Sequence, residues 1–259
     1  ANFSSAISDN ISGNSIDGSL GYNLNEDISF MGKISISSHQ PNYNFTLFKS
    51  KYISYNWEND FKNIENRQFN LEFKSKKYFD LRLDFIDVKN LAYFTKDEFD
   101  AIKPFQFSDN INVIKLRISR EFSVNKFFFD NEIQYQKTSN ANGILNVPEL
   151  ITRNSIYFGS HLLDKALFLQ TGFSISYFSK YHMNSYDPLL SEFYVQNSKK
   201  IGGFPLMDFF VNAKIQQTRL YFKLEHFNSS FTGYNFYSAP NYPYRDFAFR
   251  FGLVWNFFL

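Results

Sequence analysis

The chain has 259 residues, with 27 Lys and Arg against 25 Asp and Glu, and no cysteine. Balanced charge argues against a nucleic-acid binder, which carries a basic excess; the lack of cysteine excludes disulfides, thiol nucleophiles and cysteine-based metal sites. Mean hydropathy is polar at −0.35, yet 34 residues are Phe and 17 are Tyr, so the fold must keep the two kinds apart in space.

No run approaches the roughly 18 apolar residues of a membrane-spanning helix. Period-two alternation dominates instead, which is the pattern of strands with two unlike faces. Ile16, Gly18, Leu20, Tyr22 and Leu24 alternate with Asp17, Ser19, Gly21 and Asn23. After the turn "NED" come Ile28, Phe30, Gly32, Ile34 and Ile36, and later Phe69, Leu71 and Phe73. Beyond "KSKK", Phe79, Leu81, Leu83 and Phe85 interleave with Asp80, Arg82 and Asp84. The same rhythm returns at Ile114–Ile118, Phe127–Tyr135, Leu167–Tyr177 and Leu220–Leu224, and more weakly at 152–163 and 207–216. The chain ends in "FAFRFGLVWNFFL", where Phe247, Phe249, Phe251, Leu253, Trp255 and Phe257 share one side and Arg250 the other. These segments predict about eleven strands of roughly ten residues, the length of a tilted membrane strand. Residues 3–8 supply a twelfth, which meets the even number expected of bacterial barrels.

Connections alternate in length. Short ones are expected near 24–27, 75–78, 121–125, 163–165 and 217–218, and long ones near 39–65, 88–110, 138–151, 180–206 and 229–245. Outer-membrane barrels have short periplasmic turns and longer extracellular loops. Pro41, Pro104, Pro148, Pro188, Pro240 and Pro243 fall in the long set, where no ladder donor is needed. Residues 43–58 resemble strand material, but a full span there would invert every upstream turn, so they are assigned to an extracellular loop, as a hairpin or lid.

The fold class expected is an all-β, antiparallel up-and-down transmembrane β-barrel of about twelve strands, spanning 1–259 as a single domain. Hydrocarbon offers the backbone no hydrogen-bond partner, so a sheet within it must close. Alternate residues then face lipid and lumen. Lys or Arg on the lipid face at midplane would cost about 2–4 kcal/mol, so the alternation sends charges inward. The lumen-facing candidates are Lys33, Glu72, Arg82, Lys115, Arg117, Glu132, Lys223, Glu225 and Arg250, within a wider inward set that includes Lys74, Asp80, Asp84, Asp130 and Lys214. The lipid-facing residues of the last strand are Phe247, Phe249, Phe251, Leu253, Trp255 and Phe257. Tyr22, Tyr135, Tyr177 and Trp255 suit interfacial girdles. A soluble sandwich or lipocalin-like cup would also give period two, but not the strand length, the loop alternation or the aromatic load.

Enzyme chemistry finds no constellation. His39, His161, His182 and His226 are scattered, and "KYHMNSYDP" reads as loop. "TKDEFD" groups Asp97, Glu98 and Asp100 without calcium-loop spacing. "IGGFP" lacks the strand-then-helix context of a phosphate cradle. No catalytic residue, cofactor or metal is therefore expected.

Three stretches, 112–139, 177–215 and 222–259, with "YPYR" before an alternating W-x-F-F terminus, resemble the putative porin family of Bacteroidetes outer membranes. The resemblance implies the C-terminal part of a longer barrel in the bacterial outer membrane. Its expected function is passive diffusion of small hydrophilic solutes through a mixed-charge lumen. The alternative is a non-conducting barrel that serves as subunit or scaffold of a larger outer-membrane complex. Expected partners are the lipid bilayer, the barrel-assembly machinery during insertion, and other outer-membrane proteins or copies of the chain, without nucleic acid.

Overall fold

The computed structural model describes residues 1–6, 12–139, 141–231 and 235–256. The elements in chain order are β1 (Asn2–Ser5), β2 (Gly13–Asn23), β3 (Ile28–His39), helix α1 (Tyr43–Thr46), β4 (Leu47–Phe48), β5 (Trp57–Glu58), β6 (Ile64–Ser75), β7 (Asp80–Lys96), β8 (Ile102–Val124) and β9 (Phe127–Ser139). There follow β10 (Leu150–Leu162), β11 (Leu167–Phe178), β12 (Ser185–Asp187), β13 (Glu192–Val195), β14 (Pro205–Ile215), β15 (Thr218–Glu225), β16 (Tyr237–Ala239), β17 (Tyr242–Pro243) and β18 (Ala248–Trp255).

Twelve of these strands form one antiparallel meander in the order β1-β2-β3-β6-β7-β8-β9-β10-β11-β14-β15-β18. Each of the twelve pairs with the next of them along the chain, whether a short turn or a long loop joins the two. Among the described residues β1 pairs only with β2 and β18 only with β15, so the two outer edges are not joined to each other. The twelfth strand starts at Asn2 and ends at Ser5; residues 7 and 8 of the expected 3–8 segment lie outside the described residues, as do Phe257 and the two residues after it.

One end of the meander carries the tight turns expected. Asn25 builds the first by accepting hydrogen bonds on its side-chain oxygen from the amides of Asp27 (2.9 Å) and Ile28 (2.8 Å). Ser75 and Asp80 build the second, Asp80 accepting from the Ser75 amide at 3.0 Å. Asn125 turns β8 into β9 with a φ of 57°, a left-handed conformation that Asn tolerates.

At the other end one expectation is corrected. The long loop expected over 88–110 is mostly strand, because β7 and β8 continue as a hairpin that turns at 97–101. Asp97 closes that turn, accepting from the amides of Phe99 and Ala101, both at 2.9 Å. The alternation hides this extension because the register shifts between Lys89 and Leu91, where Asn90 takes a φ of 58°. Pro104 therefore sits inside β8, opposite Phe94, against the expectation that proline lies outside strands. It is tolerated because β9 begins to pair with β8 only at Asn112, which leaves this part of β8 an edge. Likewise Pro243 falls in the two-residue strand β17. Residues 43–58 are not a span: α1 leads into the small β4–β5 hairpin, separate from the main sheet.

Candidate pore-lining face

The pleat sorts side chains into two unlike faces. One is apolar and exposed. In β18 it carries Phe249, Phe251, Leu253 and Trp255, with Phe247 just before the strand, and Phe251 is 76 % exposed. Leu20, Phe30, Phe69, Ile114, Ile133, Ile156 and Phe173 continue it across the sheet. Exposed apolar area of this extent marks a surface covered by something other than water.

The opposite face is polar, and its charges are matched in register. Around Glu72 in β6, Lys33 of β3 lies 3.1 Å away, Arg82 of β7 3.7 Å and Lys74 3.9 Å. Arg82 also donates to Asp84 at 2.9 Å, and Asn70 donates to the same carboxylate. Arg117 of β8 pairs with Glu132 of β9. On β14, β15 and β18 a second cluster forms. Lys223 lies 2.8 Å from Asp208 and 3.2 Å from Glu225. Arg250 Nε lies 2.9 Å, and Arg245 3.5 Å, from Glu225 Oε2.

Eight of the nine charged candidates are thus brought into ion pairs. Lys115 is the exception: it stands opposite Asp84 in register without an ion pair at 4 Å among the described residues. Asp208 and Arg245 belong to the second cluster and escaped sequence reasoning. Asp208 is the lone acid in "PLMDFFVNAKI", where alternation is weak; that single acid in a largely apolar strand was the available signal.

Glycine lets aromatic rings lie flat on this face. A Cβ on Gly252 would come within 2.2 Å of the Tyr221 ring, and one on Gly172 within 2.2 Å of the Ile156 carbonyl oxygen and 2.5 Å of Tyr157 Cβ. Tyr157 in turn stacks on Phe128 with centroids 5.0 Å apart and donates its hydroxyl to Glu121 at 2.7 Å.

At the long-loop end the same face turns apolar, because the loops pack onto it. Trp57, Phe94, Ile102 and Leu190 form one buried cluster with Phe45 and Phe48 against it; Ile111, Val113 and Ala141 form another. Trp57 stacks on Phe48 at 5.0 Å and Phe45 on Phe94 at 4.5 Å. The loops also bind one another. Tyr55 donates to Asp187 (2.9 Å), Asn44 to Glu192 (2.8 Å), Asn146 to Asn197 (2.8 Å) and Lys199 to Asn241 (2.7 Å). β13 adds a parallel pairing to β7 at Phe94 and Thr95. His226, buried between Phe236 and Tyr244, donates from Nδ1 to the Arg245 carbonyl at 2.9 Å and fixes the last loop. Burial raises the Tyr55 hydroxyl above its ordinary pKa, with the bond to Asp187 adding to the effect. His182 and the Gly202–Gly203 turn, both glycines at positive φ, are parts of this loop assembly.

A meander of twelve strands with one apolar and one polar face, short turns at one end and interlocked loops at the other, has the architecture of an outer-membrane β-barrel protein. Solved outer-membrane receptors share it. The chain superposes on the ferric enterobactin receptor PfeA from Pseudomonas aeruginosa with a TM-score of 0.61 and 14 % identity over 93 % of its length. On the siderophore receptor PirA from Acinetobacter baumannii the TM-score is 0.59 with 12 % identity, again over 93 %. On BauA, the ferric preacinetobactin receptor from the same organism, it is 0.51 with 14 % identity over 83 %. The chain spans 40 % of the length of PfeA and of PirA. The family model described as "Putative porin" matches residues 1–259, and the chain belongs to that family. No curated protein matches it. It is a porin-like barrel protein of the bacterial outer membrane.

Proposed function

We propose that the chain provides for passive diffusion of small hydrophilic solutes, with the polar face lining a mixed-charge lumen and the apolar face meeting lipid. The observation that carries this reading is the pairing, across neighbouring strands, of Glu72 with Lys33 and Arg82, of Asp208 with Lys223 and of Glu225 with Arg250. Charges braced in this way form a wet wall that solutes can pass, as rings of side chains do in channels. Because each cluster mixes both signs, with three cations to two acids, the middle of the wall favours neither cations nor anions strongly. The barrel-assembly machinery is the expected partner for insertion, and the resemblance to a family of Bacteroidetes outer membranes is the ground for proposing that source.

A second reading has one specific observation in its favour. The long loops are joined to one another from Asn44 through Asp187 and Asn197 to Asn241, which is the build of a cap. A capped barrel would be a non-conducting subunit or scaffold. Planar-bilayer recording of the purified protein separates the two. Stepwise openings that scale with salt concentration support diffusion; a silent barrel that co-purifies with fixed partners overturns it.

A further inference from the structure

The polar face of β14, β15 and β18 holds four cations, and two of them have no acid among the described residues. Lys223 lies 2.8 Å from Asp208 and Arg250 2.9 Å from Glu225. Lys214 and Arg219, one turn of chain away, are instead opposite each other in register across the β14–β15 pair. Among the described residues neither has a carboxylate within 4 Å. Like charges directly opposite on a sheet are destabilising, so an arrangement that keeps two together calls for a negative charge from outside.

The space beside them fits such a group. A cavity of about 450 Å3 is lined by Lys214 and Arg219 together with Phe168, Gln170, Asn212 and Tyr221. All six alternate onto the polar face by register: Phe168 pairs with Lys214, Gln170 with Asn212, and Asn212 with Tyr221. Tyr221 lies flat because Gly252 beneath it has no side chain. The cavity therefore offers two cationic donors, two amides and two aromatic walls, at the short-turn end of the wall.

We infer that this cavity is a binding site for a small organic anion, a carboxylate or phosphate ester with a flat apolar part. Arg219 and Lys214 take the anionic group as charge-assisted donors, and Phe168 and Tyr221 take the apolar part. The site deepens the diffusion reading, on which it rests for its place along a solute path: the wall pairs both signs in the middle and is anion-selecting at its inner mouth.

The test uses the whole chain in detergent micelles with phenyl phosphate as probe, by calorimetry. Saturable binding is expected, and the double variant Lys214→Gln/Arg219→Gln should weaken it by about tenfold or more, the loss of one charge-assisted hydrogen bond. Arg250→Gln should leave it unchanged, and benzylamine should not bind. Equal binding by the double variant, equal binding of benzylamine, or no saturable binding by the native chain overturns the inference. Heat-modified gel migration verifies folding; if the double variant fails it, the two single variants are read instead. Binding in micelles needs no conduction. A silent barrel that binds the probe removes the porin reading and leaves the site, whereas a conducting barrel that does not bind removes the site alone.

Discussion

Glu225 holds Arg250 across the β15–β18 pair at 2.9 Å, and the same carboxylate also meets Lys223 and Arg245. One acid thereby braces the last described strand against its neighbour. The Arg250 side chain is nearly half exposed, so its own share is small, below about 1 kcal/mol once screened by water. Arg250→Leu should accordingly insert and fold like the native chain. Phe251→Arg places a charge on the opposite, apolar face and should cost about 2–4 kcal/mol near the bilayer midplane. Heat-modifiability after assembly into lipid vesicles measures both; equal assembly of the two variants would mean that the faces are reversed.

Two glycines of the polar face should differ in their tolerance of alanine. At Gly172 the added Cβ meets backbone, the Ile156 carbonyl oxygen at 2.2 Å, which cannot move without breaking the ladder. At Gly252 it meets only the Tyr221 ring, which can swing away. Gly172→Ala should lower stability by several kcal/mol or block assembly, while Gly252→Ala should cost about 1–3 kcal/mol, as overpacking does. Urea titration of vesicle-inserted protein gives the order, and Tyr221→Ala should rescue the second variant only.

The loop cap should open at alkaline pH. Tyr55 donates to Asp187 only while its hydroxyl is protonated, and its pKa is raised. A raised acid pKa gives a contribution that is complete below the ordinary value near 10 and lost as pH climbs through the raised one. Tyrosinate beside carboxylate then repels. Proteolysis of the loops, or conductance if the barrel conducts, should rise above about pH 10 in the native chain. Tyr55→Phe should show the looser state at neutral pH and no further alkaline step.

Trp57 is the anchor of the 43–58 segment. It is buried on Phe94 and Phe48 and donates its indole N–H to the Asn44 carbonyl at 2.9 Å. Trp57→Ala should remove about 3–5 kcal/mol from the packing of this loop. Protease sites near Tyr52 should become accessible while heat-modified migration of the barrel stays native.

Most of the meander was legible because Phe69, Leu71 and Phe73, or Leu220, Phe222 and Leu224, need one apolar partner phase and nothing else. The signal failed at 88–110, where Ala92, Phe94, Ile111 and Val113 put apolar groups on the polar face. They do so because loop residues from elsewhere cover them, and period two carries no record of a distant lid. The Asn90 irregularity then shifts the phase and hides the strand further. Of the polar face, charges such as Lys33 and Arg117 were legible as inward. Their partners were not, since register across strands decides who meets whom. The isolation of Lys214 and Arg219 likewise became visible only once Asp208 was seen to take Lys223.

The parallel seam between β13 and β7 has a bearing on how the molecule comes together. Every rung of the meander joins strands adjacent along the chain, and such local closures are quick. The seam instead joins Thr95 to Val195, 100 residues apart, and Asn44 reaches Glu192 over 148. Such contacts wait until β8 to β11 have taken their places, so the cap is the last part of the molecule to mature. A newly inserted wall thus passes through a stage in which its outer mouth stands uncovered, and any solute flux should be greatest in the youngest molecules.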